Sequence, residues 1–205
     1  MPLQINPRQG DDACHRRGDD ASDEEIVRRT LSDKDAFVIL IERYEAKLMR
    51  YLERLGVRLL EDREDILQNA FIKAYKNLNS FDQTLAFSSW MYRIVHNEAM
   101  SFFRAKNARP QVVLNEEGLA LITELRDETA DASLLAETRL SQEELAKALE
   151  TLPQSYRDAL TLRFFENRSY AEMSDILQLP VGTVSTLIHR AKRSLRIALP
   201  KTFSS

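Results

Sequence analysis

Apolar residues recur at three- and four-residue spacing along most of this chain and nowhere alternate over a useful length, a pattern that predicts helices and no sheet. Start signals punctuate it. Ser22 and Glu25 have capping-box spacing, and a second start is expected at Ser32, with Asp35 three residues on. A long amphipathic helix is expected over Asp35–Leu55, closed by Gly56. A third is expected over about Asp62–Leu78 and a fourth over about Ser88–Arg104, separated by the loop Phe81-Asp82-Gln83-Thr84. Periodicity fades from Asn107 to about Leu140, resumes at Ser141 with Glu144, and breaks at Pro153. Between Ser169 and Leu199 two helical patterns meet at Leu179-Pro180-Val181-Gly182, where Pro180 and Gly182 are expected to break the chain. Ser169 and Glu172 again have capping-box spacing, and the whole reads as a helix-turn-helix.

The expected fold is therefore all-α: two small helical domains joined by an acidic linker, the C-terminal one carrying the helix-turn-helix. The boundaries read as a disordered tail over 1–21, a first domain over 22–109, a linker over 110–140 and a second domain over 141–205. Scarce glycine, five in 205 residues, suits short connections between helices.

Charge changes the picture through its distribution. The net formal charge is −3, which does not by itself suggest nucleic-acid binding. Yet Val181 to the C-terminus holds basic side chains and no Asp or Glu, whereas Glu116, Glu117, Glu124, Asp127, Glu128, Asp131 and Glu137 dominate the linker. In the last helix Val184, Ile188, Ala191 and Leu195 share one narrow arc, and Ser185, Thr186, His189, Arg190, Arg193 and Arg196 face away from it. One face packs; the other can neutralise phosphates and reach base edges in a major groove. An acidic linker is repelled by duplex DNA and attracted to a basic groove on a protein partner.

Two further faces carry chemistry. In the third helix Leu67, Ala70, Phe71, Ala74 and Leu78 form the core stripe, and the opposite arc holds Asp65, Gln68, Asn69 and Lys76 with Ile72 among them. A β-branched apolar residue on a polar face is either one of the scattered exposed hydrophobes of any surface or a partner contact. In the fourth helix Tyr92, Val95, Ala99, Phe102 and Phe103 gather on one side; Trp90, Arg93, Asn97, Ser101 and Arg104 gather on the other. An indole among cations offers a stacking face and backbone neutralisation to unpaired bases, with Phe81 added from the preceding loop. The alternative for Trp90 is a ring folded onto Phe87 or Ile94 as core.

Other classes find little support. Cys14 is the lone cysteine, so no intramolecular disulfide forms. No CxxC or HxxxH spacing offers a metal site, and no cofactor is expected. His15, His96 and His189 are scattered, without a nucleophile–base set or a phosphate-binding glycine loop, so an enzyme is not expected. There is no signal-peptide core and no run of membrane-spanning length, which points to a cytoplasmic protein.

The segment Asp65-Ile-Leu-Gln68-Asn-Ala-Phe71-Ile-Lys-Ala-Tyr75, then Phe81, then Trp90-Met-Tyr92-Arg93-Ile-Val-His-Asn97, resembles region 2 of the extracytoplasmic-function (ECF) sigma factors of bacterial RNA polymerase. Leu152-Pro153 through Leu162-Arg163, then Ser169-Tyr170-Ala-Glu172 and Pro180-Val-Gly-Thr-Val184, resemble region 4 of that family. The resemblance spans nearly everything from Ser22 to about Leu199, in the family's order. It implies an initiation subunit, without catalytic chemistry of its own, that binds core RNA polymerase, reads two promoter elements and helps open the duplex. By position, Asp65, Gln68, Asn69 and Ile72 would meet the polymerase. Phe81, Asp82, Gln83, Trp90, Arg93, Asn97 and Arg104 would bind the melted −10 element. Arg163, Ser185, Thr186, His189, Arg190, Arg193 and Arg196 would meet the −35 element, and an anti-sigma factor would hold the protein inactive. The family usually has a basic residue, then Ser and Arg, after its Gly-Thr-Val turn; here stand Ser185, Thr186 and Leu187, so the −35 sequence does not carry over from relatives. The rival reading is a helix-turn-helix regulator that binds an operator without entering the polymerase.

Overall fold

The computed structural model describes residues 21–82, 85–106 and 142–198, except for the side chains of 142–144 and 146. Residues 1–20 of the expected tail, the acidic linker, Gln83 and Thr84 of the expected loop, and Ser141 lie outside them. The described residues form eight α-helices and no strand. These are α1 (Asp23–Ser32), α2 (Phe37–Leu55), α3 (Leu60–Asn77), α4 (Phe87–Lys106), α5 (Gln142–Glu150), α6 (Gln154–Leu160), α7 (Tyr170–Leu177) and α8 (Val181–Ala198).

The local chemistry of the helix ends explains most of these bounds. Ser22 Oγ accepts from the Glu25 amide at 3.2 Å, as its spacing predicts. The second expected start is displaced: Ser32 is the last residue of α1, and Asp33 instead accepts from the Asp35 amide at 3.1 Å to open a short 3-10 turn over Lys34–Ala36. Aspartate is the better acceptor and sits one residue nearer the amide it satisfies. Helix α2 buries Phe37, Leu40, Tyr44, Leu48, Tyr51, Leu52 and Leu55, and ends at Gly56 in the left-handed region (φ +103°). Pro153 opens α6 rather than merely interrupting the chain, its fixed φ suiting the position before a helix.

At the helix-turn-helix the capping box is complete: Ser169 Oγ accepts from the Glu172 amide at 3.2 Å, and Glu172 Oε2 accepts from the Ser169 amide at 2.9 Å. The corner differs from expectation. Gln178, left-handed at φ +56°, ends α7, and Ser174 ties the turn by donating to the Leu179 carbonyl at 2.5 Å. Gly182 breaks nothing. It lies in the first turn of α8, and a Cβ there would touch nothing within 4 Å.

Helices α2, α3 and α4 pack around one core with α1 across them, and α6, α7 and α8 form the second unit with α5. The two units are not separate bodies. Helix α7 lies along α4, and α6 meets α2, so that the core is continuous from Ile26 to Leu195. Periodicity within one helix carries no information on which distant helix covers it, and this contact was not expected.

Candidate functional surfaces

The α3 face is as the spacing predicts. Leu67, Ala70, Phe71, Ala74 and Leu78 are buried, while Asp65, Gln68 and Asn69 are exposed. Ile72 among them is 45% exposed, and Tyr75 beside it 38%, so an apolar pair stands in a polar field on the outside of the unit.

The α4 face needs correction. Trp90 is 9% exposed and Phe81 7%, and together with Phe87 they form an aromatic cluster with ring centroids 5.0–5.7 Å apart. Neither ring is an open stacking platform. Burying three aromatic faces against each other returns more than leaving an indole in water among cations, so of the two readings of Trp90 the packed one holds. One edge of Trp90 nevertheless lines a cleft of about 360 Å³ with Lys73, Asn77, Ser80, Arg93, Ile94, Asn97 and Glu98. Lys73 Nζ lies 2.5 Å from Glu98 Oε1 across its wall. Arg93 and Asn97 thus converge where expected. Lys73, Asn77 and Glu98 are additions no local pattern singles out, because the two sides of the cleft come from separate helices. Asp82 is exposed beside this unit. Arg104 is exposed further along α4, donating to Ser101 Oγ at 3.0 Å.

In α8 the buried arc is Val184, Ile188, Ala191 and Leu195, and Ser185, His189, Arg193 and Arg196 are exposed on the other side. Thr186 and Arg190 are half-buried at the rim of that face, Thr186 Oγ1 donating to the Gly182 carbonyl at 3.0 Å. Arg163 stands apart. It lies in a five-residue π turn, Thr161–Phe165, donates to the Arg168 carbonyl at 3.0 Å and sits 5.2 Å from the Tyr170 ring centroid. Its guanidinium is spent on the turn that leads into α7, a structural role that no local sequence pattern reveals.

That π turn and the left-handed Asn167 after it (φ +51°) aim Glu166 and Arg168 at the first unit. Glu166 accepts from Arg54 at 3.0 Å and from the Tyr92 hydroxyl at 2.6 Å. Arg168 donates to Ser88 Oγ at 2.9 Å, and its guanidinium lies 4.3 Å from the Tyr92 ring centroid. Burial, with Glu166 beside it, holds the Tyr92 phenol well above its ordinary range, so it stays a donor. At the other end of the contact Gln154 and Arg157 both donate to the Leu55 carbonyl, at 3.0 and 3.2 Å, placing a cation on the C-terminus of α2. Between these poles His96 Nδ1 is 3.0 Å from the Tyr51 hydroxyl, and His96 Nε2 is 4.0 Å from Asp158 Oδ2. No helix in the described residues is long and apolar enough to cross a membrane, and no group of His, Cys, Asp or Glu among them could hold a metal ion.

The two units coincide with two family models: Sigma-70 region 2 matches residues 40–109, and Sigma-70, region 4 matches residues 142–195. Among similar proteins, the ECF RNA polymerase sigma factor SigW of Bacillus subtilis is 35% identical over 173 residues, 80% of this chain and 89% of that protein. The ECF RNA polymerase sigma-E factor of Haemophilus influenzae is 34% identical over 179 residues, 85% and 93% of the two chains. In fold, the chain resembles CnrH, solved in complex with the cytosolic domain of CnrY, with a TM-score of 0.62 and 22% identity over 86% of this chain and 96% of that one. It also resembles the sigma factor RpoE solved with the anti-sigma factor NepR from Bartonella quintana, with a TM-score of 0.59 and 21% identity over 81% and 98%. Both family regions in order, on relatives matched over most of their length, make this chain a member of the ECF RNA polymerase sigma factors.

Proposed function

We propose that this sigma factor docks on core RNA polymerase through Asp65, Gln68, Asn69 and Ile72 on α3, and reads an upstream promoter element with α8. In that reading the cleft between α3 and α4 receives an unpaired base of the downstream element. What carries it is an exposed, basic helix-turn-helix face on the same chain as the polar, partly apolar α3 face.

The cleft suits a flipped base through its chemistry. The Trp90 edge supplies apolar contact, Asn97 supplies a donor and an acceptor for a base edge, Asn77 keeps an acceptor while its amide donates to the Lys73 carbonyl, and Arg93 supplies a cation for the backbone, Lys73 being paired with Glu98. Phe81 supports this cleft from behind instead of stacking on bases, and Arg104, with Asp82, extends the candidate path of the strand; Gln83 lies outside the described residues. On α8, Ser185, His189, Arg193 and Arg196 lie outward, with Thr186 and Arg190 at the rim. Arg163 contributes by fixing the entry to α7. An anti-sigma factor is the proposed regulator, since the Bartonella quintana relative in fold was solved with one.

Run-off transcription with purified core polymerase on a promoter library tests this function. Promoter-specific transcripts that appear only when the chain is added to core are expected. Sequence-specific binding to duplex DNA by the free chain, with no effect on core polymerase, would instead establish a stand-alone regulator.

A further inference from the structure

Helix α8 opens with side chains that its cationic face leaves unused. The cations begin at His189, in the third turn, whereas the first two turns carry Val181, Gly182, Ser185 and Thr186 on their accessible side and no acidic residue. The Pro180 carbonyl accepts from the Val184 amide at 3.0 Å, so Pro180 is the cap and Val181 the first helical residue. In that frame the apolar contact that fixes the entry of a helix falls on the residue before the cap and on the fourth residue of the helix. These are Leu179, partly buried against the core, and Val184, fully buried. Val181 is left out of it. It is 50% exposed, and neither packing nor helix propensity accounts for a β-branched apolar side chain there.

Gly182 is equally unexplained from within the chain. Glycine is a poor helix former, and a Cβ at this position would meet nothing within 4 Å, so no neighbour in the fold requires its absence. At about 100° per residue Gly182 falls on the exposed stripe of His189 and Arg193, with Ser185 and Thr186 one turn further on either side of it. Thr186 commits its hydroxyl proton to the Gly182 carbonyl at 3.0 Å. The opening of α8 is therefore a low surface of bare backbone and short side chains, and Val181 is the large apolar residue exposed on it.

A reading helix that enters by its N-terminal turns brings this low surface against the floor of the major groove. Base pairs display donors and acceptors there and a single apolar group, the C5 methyl of thymine. Phosphate oxygens, the other groups within reach, gain nothing from an apolar side chain. We propose that Val181 is a specificity-determining residue that packs on the C5 methyl of one thymine in the upstream promoter element, and that Gly182 lets the helix approach closely enough for that contact. This rests on the upstream reading by α8 proposed above.

The test uses holoenzyme assembled from purified core polymerase and the full chain. Run-off from a library randomised in the upstream element identifies the thymines it prefers. Each of these is then replaced by deoxyuridine, which keeps the pairing and the hydrogen-bonding edge and removes only the methyl. At one of them run-off at subsaturating holoenzyme should fall about fourfold, the worth of one methyl-sized apolar contact. In Val181→Ser the same replacement should leave run-off unchanged, because the methyl has lost its partner, while output from the thymine template falls to the uracil level. Val181 is exposed, so this variant should melt with the parent by circular dichroism; the uracil series on the parent chain decides the methyl contact whatever the variant does. Gly182→Ala should melt no lower than the parent, since a Cβ there meets nothing, yet transcribe less from the preferred upstream element. Run-off insensitive to uracil at every preferred thymine, an upstream preference without thymine, or equal uracil sensitivity in Val181→Ser and the parent overturns the Val181 contact. Full run-off with Gly182→Ala overturns the close approach. Run-off indifferent to the whole upstream sequence would instead strike the upstream reading by α8.

Discussion

Gly56→Ala should damage the chain twice, and the two effects can be separated. Gly56 ends α2 at φ +103°, where an L side chain costs about 1–2 kcal/mol. A Cβ built there also collides with Arg157 Nη1, across the contact between the units. A flexible side-chain tip could ordinarily move away. Arg157 cannot do so freely, because its Nε donates to the Leu149 carbonyl at 3.1 Å and its Nη2 to the Glu150 carbonyl at 2.7 Å. The expected casualty is the Nη1 bond to the Leu55 carbonyl, worth about 1.5 kcal/mol at the low end for a charged donor, since Gln154 still serves that acceptor. Gly56→Ala should therefore cost about 2.5–3.5 kcal/mol in urea unfolding. In an Arg157→Ala background it should cost only about 1–2 kcal/mol. The difference is a coupling energy from a double-mutant cycle. Strictly additive costs would show that Gly56 and Arg157 do not meet in solution, and with them the docking of α6 on α2 would fall.

Further outcomes follow from the same contacts. Asp65→Ala with Gln68→Ala should weaken core pull-down while changing urea stability by no more than about 0.5 kcal/mol, because both side chains are exposed; undiminished pull-down refutes the α3 assignment. Ser169→Ala removes a completed capping box and should cost about 1 kcal/mol, read as a lower urea midpoint. The Glu172 carboxyl is held below its ordinary range by the Ser169 amide and hydroxyl and by Arg168. Its contribution is present above the ordinary carboxylate pKa and lost as pH falls through the lowered one, so Glu172→Gln should flatten the acid limb of stability against pH below about 4.5. Arg196→Ala should weaken all promoters alike and reduce the salt slope by about one. Arg190→Ala should instead cost about 1–3 kcal/mol and relax preference at one upstream position, both read by sequencing transcripts from a randomised upstream element at two salt concentrations.

What the amino-acid order settled by itself is whatever depends on neighbours within four residues. The buried arcs of α3 and α8, the caps at Ser22 and Ser169, and the stop at Gly56 all follow from helical period and from the reach of a short polar side chain to a nearby amide. The same locality misplaced the start at Ser32, where the similar acceptor Asp33 stands one residue on, and the break at Gly182, where a left-handed Gln178 that its residue type does not announce ends the helix four residues earlier. Tertiary structure decided everything that needed a partner from far away. Trp90 stands on the polar arc of its own helix, yet Phe81 and Phe87 cover it. Arg163 is a cation before a helix-turn-helix, yet Tyr170 and a carbonyl hold it. The docking of the two units through Tyr51, Tyr92, His96, Asp158 and Glu166 left no periodic trace. It depends on a π turn that redirects two side chains and on the burial of groups whose individual sequence neighbourhoods are those of ordinary amphipathic helices.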